Sequence, residues 1–258
     1  GQAGFEGQIE GPLQLALRWR DATDPAGLPF ELSGRFEHEA LAVELLDSQL
    51  RLGDGLLQVE AMALSLLDGR LDLRGHYRLD DGHLQLEARA EDLGWGEGEA
   101  QVRAEGGATL QGRWSDWQGE LALALRRADE TAELSGQARG DAAGIVLAPF
   151  ELATAAGRLS GEARLQHDAD RSLAVDARLQ GFDPGWLLPD WPGRLDGRLR
   201  LQAALPESAP PRYRLALTGL RGPLRGQPVA AELHLETDAQ GQQLRLELEA
   251  GTGRLALN

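Results

Sequence analysis

The sequence predicts an all-β protein, a long curled antiparallel meander with one apolar face. Three observations lead there. Apolar residues, mostly leucine, recur at every second position in run after run, with Arg, Glu, Asp or Gln between them. That is the period of a half-buried strand, and turn signals return roughly every 8 to 15 residues, as in a meander. Leu, Ala, Glu and Arg favour helix by intrinsic propensity, but in a helix these leucines would point all round the axis, so the period outweighs the propensity. About 18 strands at roughly 4.8 Å each make a sheet on the order of 85 Å long. A twisted open sheet of that many strands has to curl or split in two.

Taken in order, Leu13, Leu15, Leu17 and Trp19 open the series, and a turn cluster follows over 21–29. Phe30, Leu32 and Phe36 surround Gly34. Leu41, Val43 and Leu45 alternate, then Leu50 and Leu52 lead into Gly53-Asp54-Gly55, a strong hairpin signal. Leu57, Val59 and Ala61 return from it. Leu71 and Leu73, then Tyr77 and Leu79, precede Asp80-Asp81-Gly82, and Leu84, Leu86 and Ala88 come back. Gly94-Trp95-Gly96-Glu97-Gly98 breaks the pattern. Val102, Leu110 and Trp114 restart it, and Leu121, Leu123 and Leu125 form a clean alternating set. Leu134 and Ala138 lie either side of Gly136, and Val146 to Phe150 is a short apolar run. Leu159, Ala163 and Leu165 precede a turn over 167–171. Leu173, Val175, Ala177 and Leu179 follow, then, after an interruption, Leu199 and Leu201. A Pro-rich connection over 206–211 leads to Leu215 and Leu217, then Leu233 and Leu235, and finally Leu244, Leu246 and Leu248.

The interruption is the least repetitive stretch of the chain. Phe182 to Gly197 holds three prolines, two tryptophans and three glycines, which rules out a regular strand. Asp183 before Pro184 reads as an N-cap with proline at the first helical position. Trp186, Leu187 and Leu188 form one short turn, stopped by Pro189 and Pro192. With Phe182 and Trp191 these residues are expected to plug one end of the apolar face. The exit, Gly193-Arg194-Leu195-Asp196-Gly197, repeats a pattern found at Gly7–Gly11 and Gly157–Gly161, with longer relatives at Gly69–Gly75 and Gly107–Gly112. Glycine at both ends of such a piece permits a sharp turn or a close backbone approach.

Composition bounds the function. There is no cysteine, hence no disulfide frame and no thiolate metal site. All 26 basic residues are arginine, so no phosphate-loop lysine and no Schiff base are available. A net charge of -15 argues against nucleic acid and against an anionic membrane surface. Ser33, Ser135 and Ser160 each sit in Leu-Ser-Gly without the preceding glycine of a nucleophile elbow. The five histidines are scattered. No catalytic residue, cofactor or metal site is expected, and the chain is not expected to be an enzyme. It starts at Gly1 without a leader and ends within an alternating run, so residues 1–258 are expected to be one continuous β-groove segment of a larger protein.

The alternation with its Gly-x-apolar-x-Gly exits, and above all the stretch from Phe182 to Gly197, resembles the TamB family within the AsmA-like superfamily. The resemblance is diffuse over the whole segment and specific only in that stretch. It implies a U-shaped sheet, the β-taco, with an apolar inner face and one or two short helices. It further implies a periplasmic protein anchored in the inner membrane and meeting a TamA-like outer-membrane barrel through parts outside this segment. The partner expected for the groove is phospholipid, guided by the alternating leucines. The alternative is a scaffold that assembles outer-membrane proteins by pairing strands at its edges. An ordinary sandwich, with its leucines packed on each other, fits the same pattern.

Overall fold

The computed structural model describes residues 13–19, 28–38, 41–96, 98, 101–166, 171–204, 206, 212–238, 241–250 and 253–257. Side chains of Leu13, Leu15, Leu17, Leu41, Leu244, Leu246 and Leu248 lie outside this description, as does the Gly7–Gly11 copy of the exit pattern. The chain is all-β, as its period requires. Seventeen strands lie among the described residues: β1 Leu13–Trp19, β2 Leu28–His38, β3 Leu41–Gly53, β4 Leu56–Leu66, β5 Gly69–Arg78, β6 His83–Trp95, β7 Val102–Arg113, β8 Asp116–Arg127, β9 Glu130–Gly140, β10 Gly144–Thr154, β11 Arg158–Gln166, β12 Ser172–Phe182, β13 Leu195–Ala204, β14 Arg212–Leu224, β15 Gln227–Asp238, β16 Gly241–Ala250 and β17 Gly253–Leu257. A single 3-10 turn, Pro184–Trp186, separates β12 from β13. The chain divides into two compact units, residues 1–125 and 126–258.

In the first unit β1 to β7 pair in sequence order, every pair antiparallel. β7 runs close against β8, where a Cβ on Gly119 would lie 2.1 Å from the Thr109 carbonyl oxygen. The register brings apolar residues level across the strands. Val59, Gly75, Leu86 and Leu110 form one row; Leu57, Tyr77, Leu84 and Gly112 form the next. Gly75, at φ +151, ends one copy of the exit pattern, and a Cβ there would meet the Gln85 carbonyl oxygen at 2.0 Å. No other residue fits, because β5 passes too close to β6. The hairpin expected at Gly53-Asp54-Gly55 is present, with Asp54 at φ 49 and Gly55 at φ 72, the two left-handed residues of a type I′ turn.

The parity of the apolar positions changes inside β3. Val43 and Leu45 point one way with odd numbers, Ser48 and Leu50 with even ones. A bulge between Leu45 and Asp47 accounts for it and leaves Leu46 half exposed on the other side. Opposite, β2 loses its ladder between Phe30 and Gly34. The Ser48 hydroxyl fills the gap: it accepts from the Leu32 N–H at 2.6 Å and donates to the Leu32 carbonyl at 2.7 Å. Ser48 is 1% exposed, so this is a buried patch for a broken ladder.

In the second unit β9 to β17 again pair with their sequence neighbours, all antiparallel. One row runs Ala138, Leu147, Ala163, Val175, Leu201, Leu215, Leu235, Leu244, crossing eight strands. The next runs Gly136, Phe150, Gly161, Ala177, Leu199, Leu217, Leu233, Leu246. Phe150 is level with two glycines, so its ring has room that neighbouring side chains would take. Those glycines belong to Leu-Ser-Gly triplets, whose serines stand on the polar side of the strands. Asp176, on that polar side of β12, holds Arg198 through two bonds of 2.8 Å and Arg200 at 3.1 Å. The hydrogen bond from Arg198, helped by that from Arg200, keeps the Asp176 carboxyl below its ordinary range.

Ser48→Ala leaves the Leu32 N–H and carbonyl unmet and is expected to lower stability by about 1–3 kcal/mol, read from urea unfolding. Asp176→Asn is expected to cost no more than about 1 kcal/mol at neutral pH, the range of exposed ion pairs. The depressed folded pKa sets the sign of the pH dependence. The contribution is complete above the unfolded value of about 3.9 and is lost as pH falls through the lower folded value. Thermal melts of the two proteins therefore converge in acid.

Candidate functional site

The plug is built by Asp183. Its backbone is extended at φ -86, ψ 106, and Pro184 occupies the first helical position. The Asp183 Oδ1 accepts from the Gly185 N–H and from the Gly193 N–H, both at 2.8 Å. One carboxylate oxygen thus caps the turn and closes the loop ten residues on. Leu187 and Leu188 both donate to the Pro184 carbonyl, and Trp191 donates to that of Leu188. The far side is tied to the β14–β15 turn by backbone: Arg194 N–H to Pro223 O at 2.8 Å, Arg225 N–H to Pro192 O at 2.7 Å, and a bridge between Gly193 and Leu224. The near side is tied by one side chain. Arg127 Nη2, at the end of β8, donates to the Gly185 carbonyl at 2.8 Å.

That last bond locates the plug. Four strand spacings of about 4.8 Å separate β8 from β12, roughly 19 Å in a flat sheet. Gly185 is only three residues past the end of β12, so the turn folds back across β9 to β11 and this sheet bends toward it. Burial agrees. Phe182 is 2% exposed and Trp186 5%, with Ala132, Phe150, Leu152, Leu179, Leu195 and Leu220 also buried. The other expected plug residues face outward: Leu187, Leu188 and Trp191 are each about half exposed. Phe182, the last residue of β12, and Trp186, the last of the 3-10 turn, face inward. Trp191 lies outside under the Arg225 guanidinium, 5.8 Å from its ring centre.

The alternating leucines away from the plug are neither sealed nor free. Val43, Leu45, Leu71, Leu73, Leu86, Leu121, Leu123 and Leu125 of the first unit are half-buried, and only Leu84 of the set is buried. Leu173, Val175, Leu199, Leu201, Leu215, Leu217, Leu233 and Leu235 of the second are half-buried too. In the second unit the register lines them into rows crossing seven strand spacings, roughly 34 Å. That is about the thickness of a bilayer's hydrocarbon core, ~30 Å. The face offers apolar contact and few polar partners, which suits a flexible aliphatic chain.

The polar side of the second unit has a different character. A concavity of about 1210 Å³ there is lined by Ser160, Glu162, Asp176, Arg178, Asp196 and Arg198 among others. Both Asp176 oxygens are committed to arginines, and Asp196 Oδ1 accepts from the Gly181 N–H. Arg127 is not among the residues expected from the sequence; its signal there is an arginine at the parity of Leu121, Leu123 and Leu125, where the alternation calls for an apolar residue. No helix among the described residues is long and apolar enough to cross a membrane.

The plug yields a prediction. Asp183→Ala removes two hydrogen bonds and the cap, with an expected loss of about 0.5–2 kcal/mol. Asp183→Asn keeps an oxygen acceptor and is expected to recover most of it. Equilibrium unfolding measures the stability, and a red-shifted tryptophan emission in the alanine variant reports the loosened Trp186.

No curated protein and no solved structure matched the chain. The family profile described as "TamB, N-terminal domain" matches residues 28–258, nearly the whole length and including every strand from β2 to β17 and the plug. With that match over an all-β antiparallel meander, the chain belongs to the TamB family.

Proposed function

We propose that this chain is a bridge-like lipid-transfer segment that guides phospholipid acyl chains along the apolar faces of its two units, through the periplasm between inner and outer membranes. The family is tied to outer-membrane assembly or lipid transport. The observation that carries it is the half-burial of the alternating leucines. In a closed sandwich the inner leucines pack on one another and are sealed. Here they keep exposed area while standing in unbroken rows. An aliphatic chain laid on such a row regains about 0.8 kcal/mol per CH₂ removed from water. Two chains of a phospholipid meet the same cost at every step through water, and an apolar lining lowers it throughout the path without a bond being made or broken.

The reading gives the face no chemistry beyond contact, so the segment acts as a conduit and not as an enzyme. The anchor in the inner membrane and the docking to a TamA-like barrel fall to parts of the protein outside these residues. The full-length protein is then a periplasmic bridge, with the lipid sliding non-covalently.

Val175, in the row that crosses β9 to β16, tests it. A photo-crosslinking residue at Val175 is expected to capture phospholipid. Val175→Asp places a charge where the chain must pass. On an accessible face that charge stays hydrated, so the variant is expected to keep its melting temperature within a few degrees, on the order of the effect of a surface change, and to lose lipid capture at a neighbouring Leu201 probe. Unfolding of Val175→Asp, with no lipid captured by the Val175 probe, would overturn the conduit in favour of a closed core. Capture of polypeptide in place of lipid would overturn it in favour of an assembly scaffold.

A further inference from the structure

Arg127 is the one side chain on β8 that its alternation does not call for. Leu121, Leu123 and Leu125 take the odd positions, and Arg127 continues that parity. The guanidinium therefore lies on the apolar side, 7% exposed, beside Trp186 at 5%. Its Nη2 donates to the Gly185 carbonyl at 2.8 Å and to Glu130 Oε2 at 3.2 Å. Among the described residues its Nη1 has no hydrogen-bond partner, and neither has the Trp186 Nε1. The two groups are neighbours: Arg127 Cζ is 6.0 Å from the centre of the Trp186 ring. Buried donors in folded proteins are nearly always bonded. Two adjacent unmet donors, one of them on a cation, at the rim of an apolar face are an exception that an oxyanion would resolve. A guanidinium suits phosphate oxygens in particular.

The fastening of the plug is unequal in a way that fits. Its β14–β15 side is held by backbone, and its β8 side, among the described residues, by the Arg127 side-chain bond to Gly185. Exchange at Arg127 frees that margin and leaves the other as a hinge. Taking the lipid reading as premise, we propose that Arg127 and Trp186 form a recognition site for the phosphate of a phospholipid headgroup at the plug rim of the second unit. The phosphate replaces the Gly185 carbonyl on Arg127, bonds the Trp186 N–H with another oxygen, and lifts the plug margin from the face that the acyl chains occupy. Glu130, 55% exposed and 3.2 Å from Arg127 Nη2, is the carboxylate proposed to pair with the ammonium of a zwitterionic headgroup.

Indole proton resonances of the 258-residue chain test the site, with Trp186 assigned by its loss in Trp186→Phe. Dihexanoyl phosphatidylethanolamine, added as monomer, is expected to shift the Trp186 N–H downfield. Dihexanoylglycerol, which has no phosphate, is expected to leave it in place. Arg127→Gln, with the other indole signals unchanged, is expected to weaken the phospholipid response by about tenfold or more, the loss of one charge-assisted hydrogen bond. Inorganic phosphate giving the same shift at the same concentration would overturn the headgroup assignment and leave a simple anion site. An unmoved Trp186 signal, while a Val175 probe still captures phospholipid, would overturn this site and spare the conduit. Loss of both responses would sink the two together.

Discussion

Register is the constraint on which the rest of this structure depends. Each strand pairs with its neighbours in the chain, so every side chain's face is set by its position in a hairpin ladder. A slip of one residue would turn an entire strand's leucines outward. The ladders hold them level instead, and the rows that result are a property of pairing and not of any single strand. Where the chain does gain a residue, as at Leu46 in β3, the structure repairs the ladder locally. Ser48 supplies the acceptor and donor that β2 has lost, and the apolar rows continue on the new parity.

Glycine and charge keep the two sides distinct. Gly75 lets β5 approach the β6 backbone, and Gly136 and Gly161 leave space for Phe150 in a row otherwise filled by leucine and alanine. The polar side carries arginine–carboxylate pairs across and along strands: Arg51 with Glu60, Arg70 with Asp72, Arg198 with Asp176, Arg214 with Glu236. These pairs are exposed, so each adds little stability. Their larger effect is on specificity, because charges along the polar side penalise any register that would bury them.

At the plug the two-sided rule is suspended, and its parts explain one another. A tryptophan turned onto the apolar face at Trp186 needs a chain reversal, which Asp183 stabilises with two bonds from one oxygen. The reversal presents the Gly185 carbonyl to the buried side, and Arg127 answers it from the end of β8. The cost is a guanidinium on an apolar face with one amine unmet. In a purely structural element a leucine at that position, with the turn closed by backbone alone, would be the simpler solution. The arginine ties this end of the face to polar chemistry, in a family concerned with lipids or with assembly of the outer membrane.

The alternation of Leu121, Leu123 and Leu125 and its many repeats determined the fold class, because a period of two admits only a strand with one buried side. The Asp183-Pro184 pair determined the turn, and Gly53-Asp54-Gly55 determined its hairpin, each through backbone angles that few other residues adopt. These are local effects, readable from neighbours in the chain. Arg127 was illegible for the opposite reason: its partner Gly185 lies 58 residues away, and only the return of the plug across β9 to β11 brings them together. Trp186 and Trp191 look alike in the sequence, yet the first is buried at the end of the 3-10 turn and the second, five residues on, stands half exposed under Arg225. The alternation likewise says that a face is apolar and is silent on how fully it is covered. That was decided by tertiary structure, where antiparallel neighbours set the leucines level and leave them half-buried.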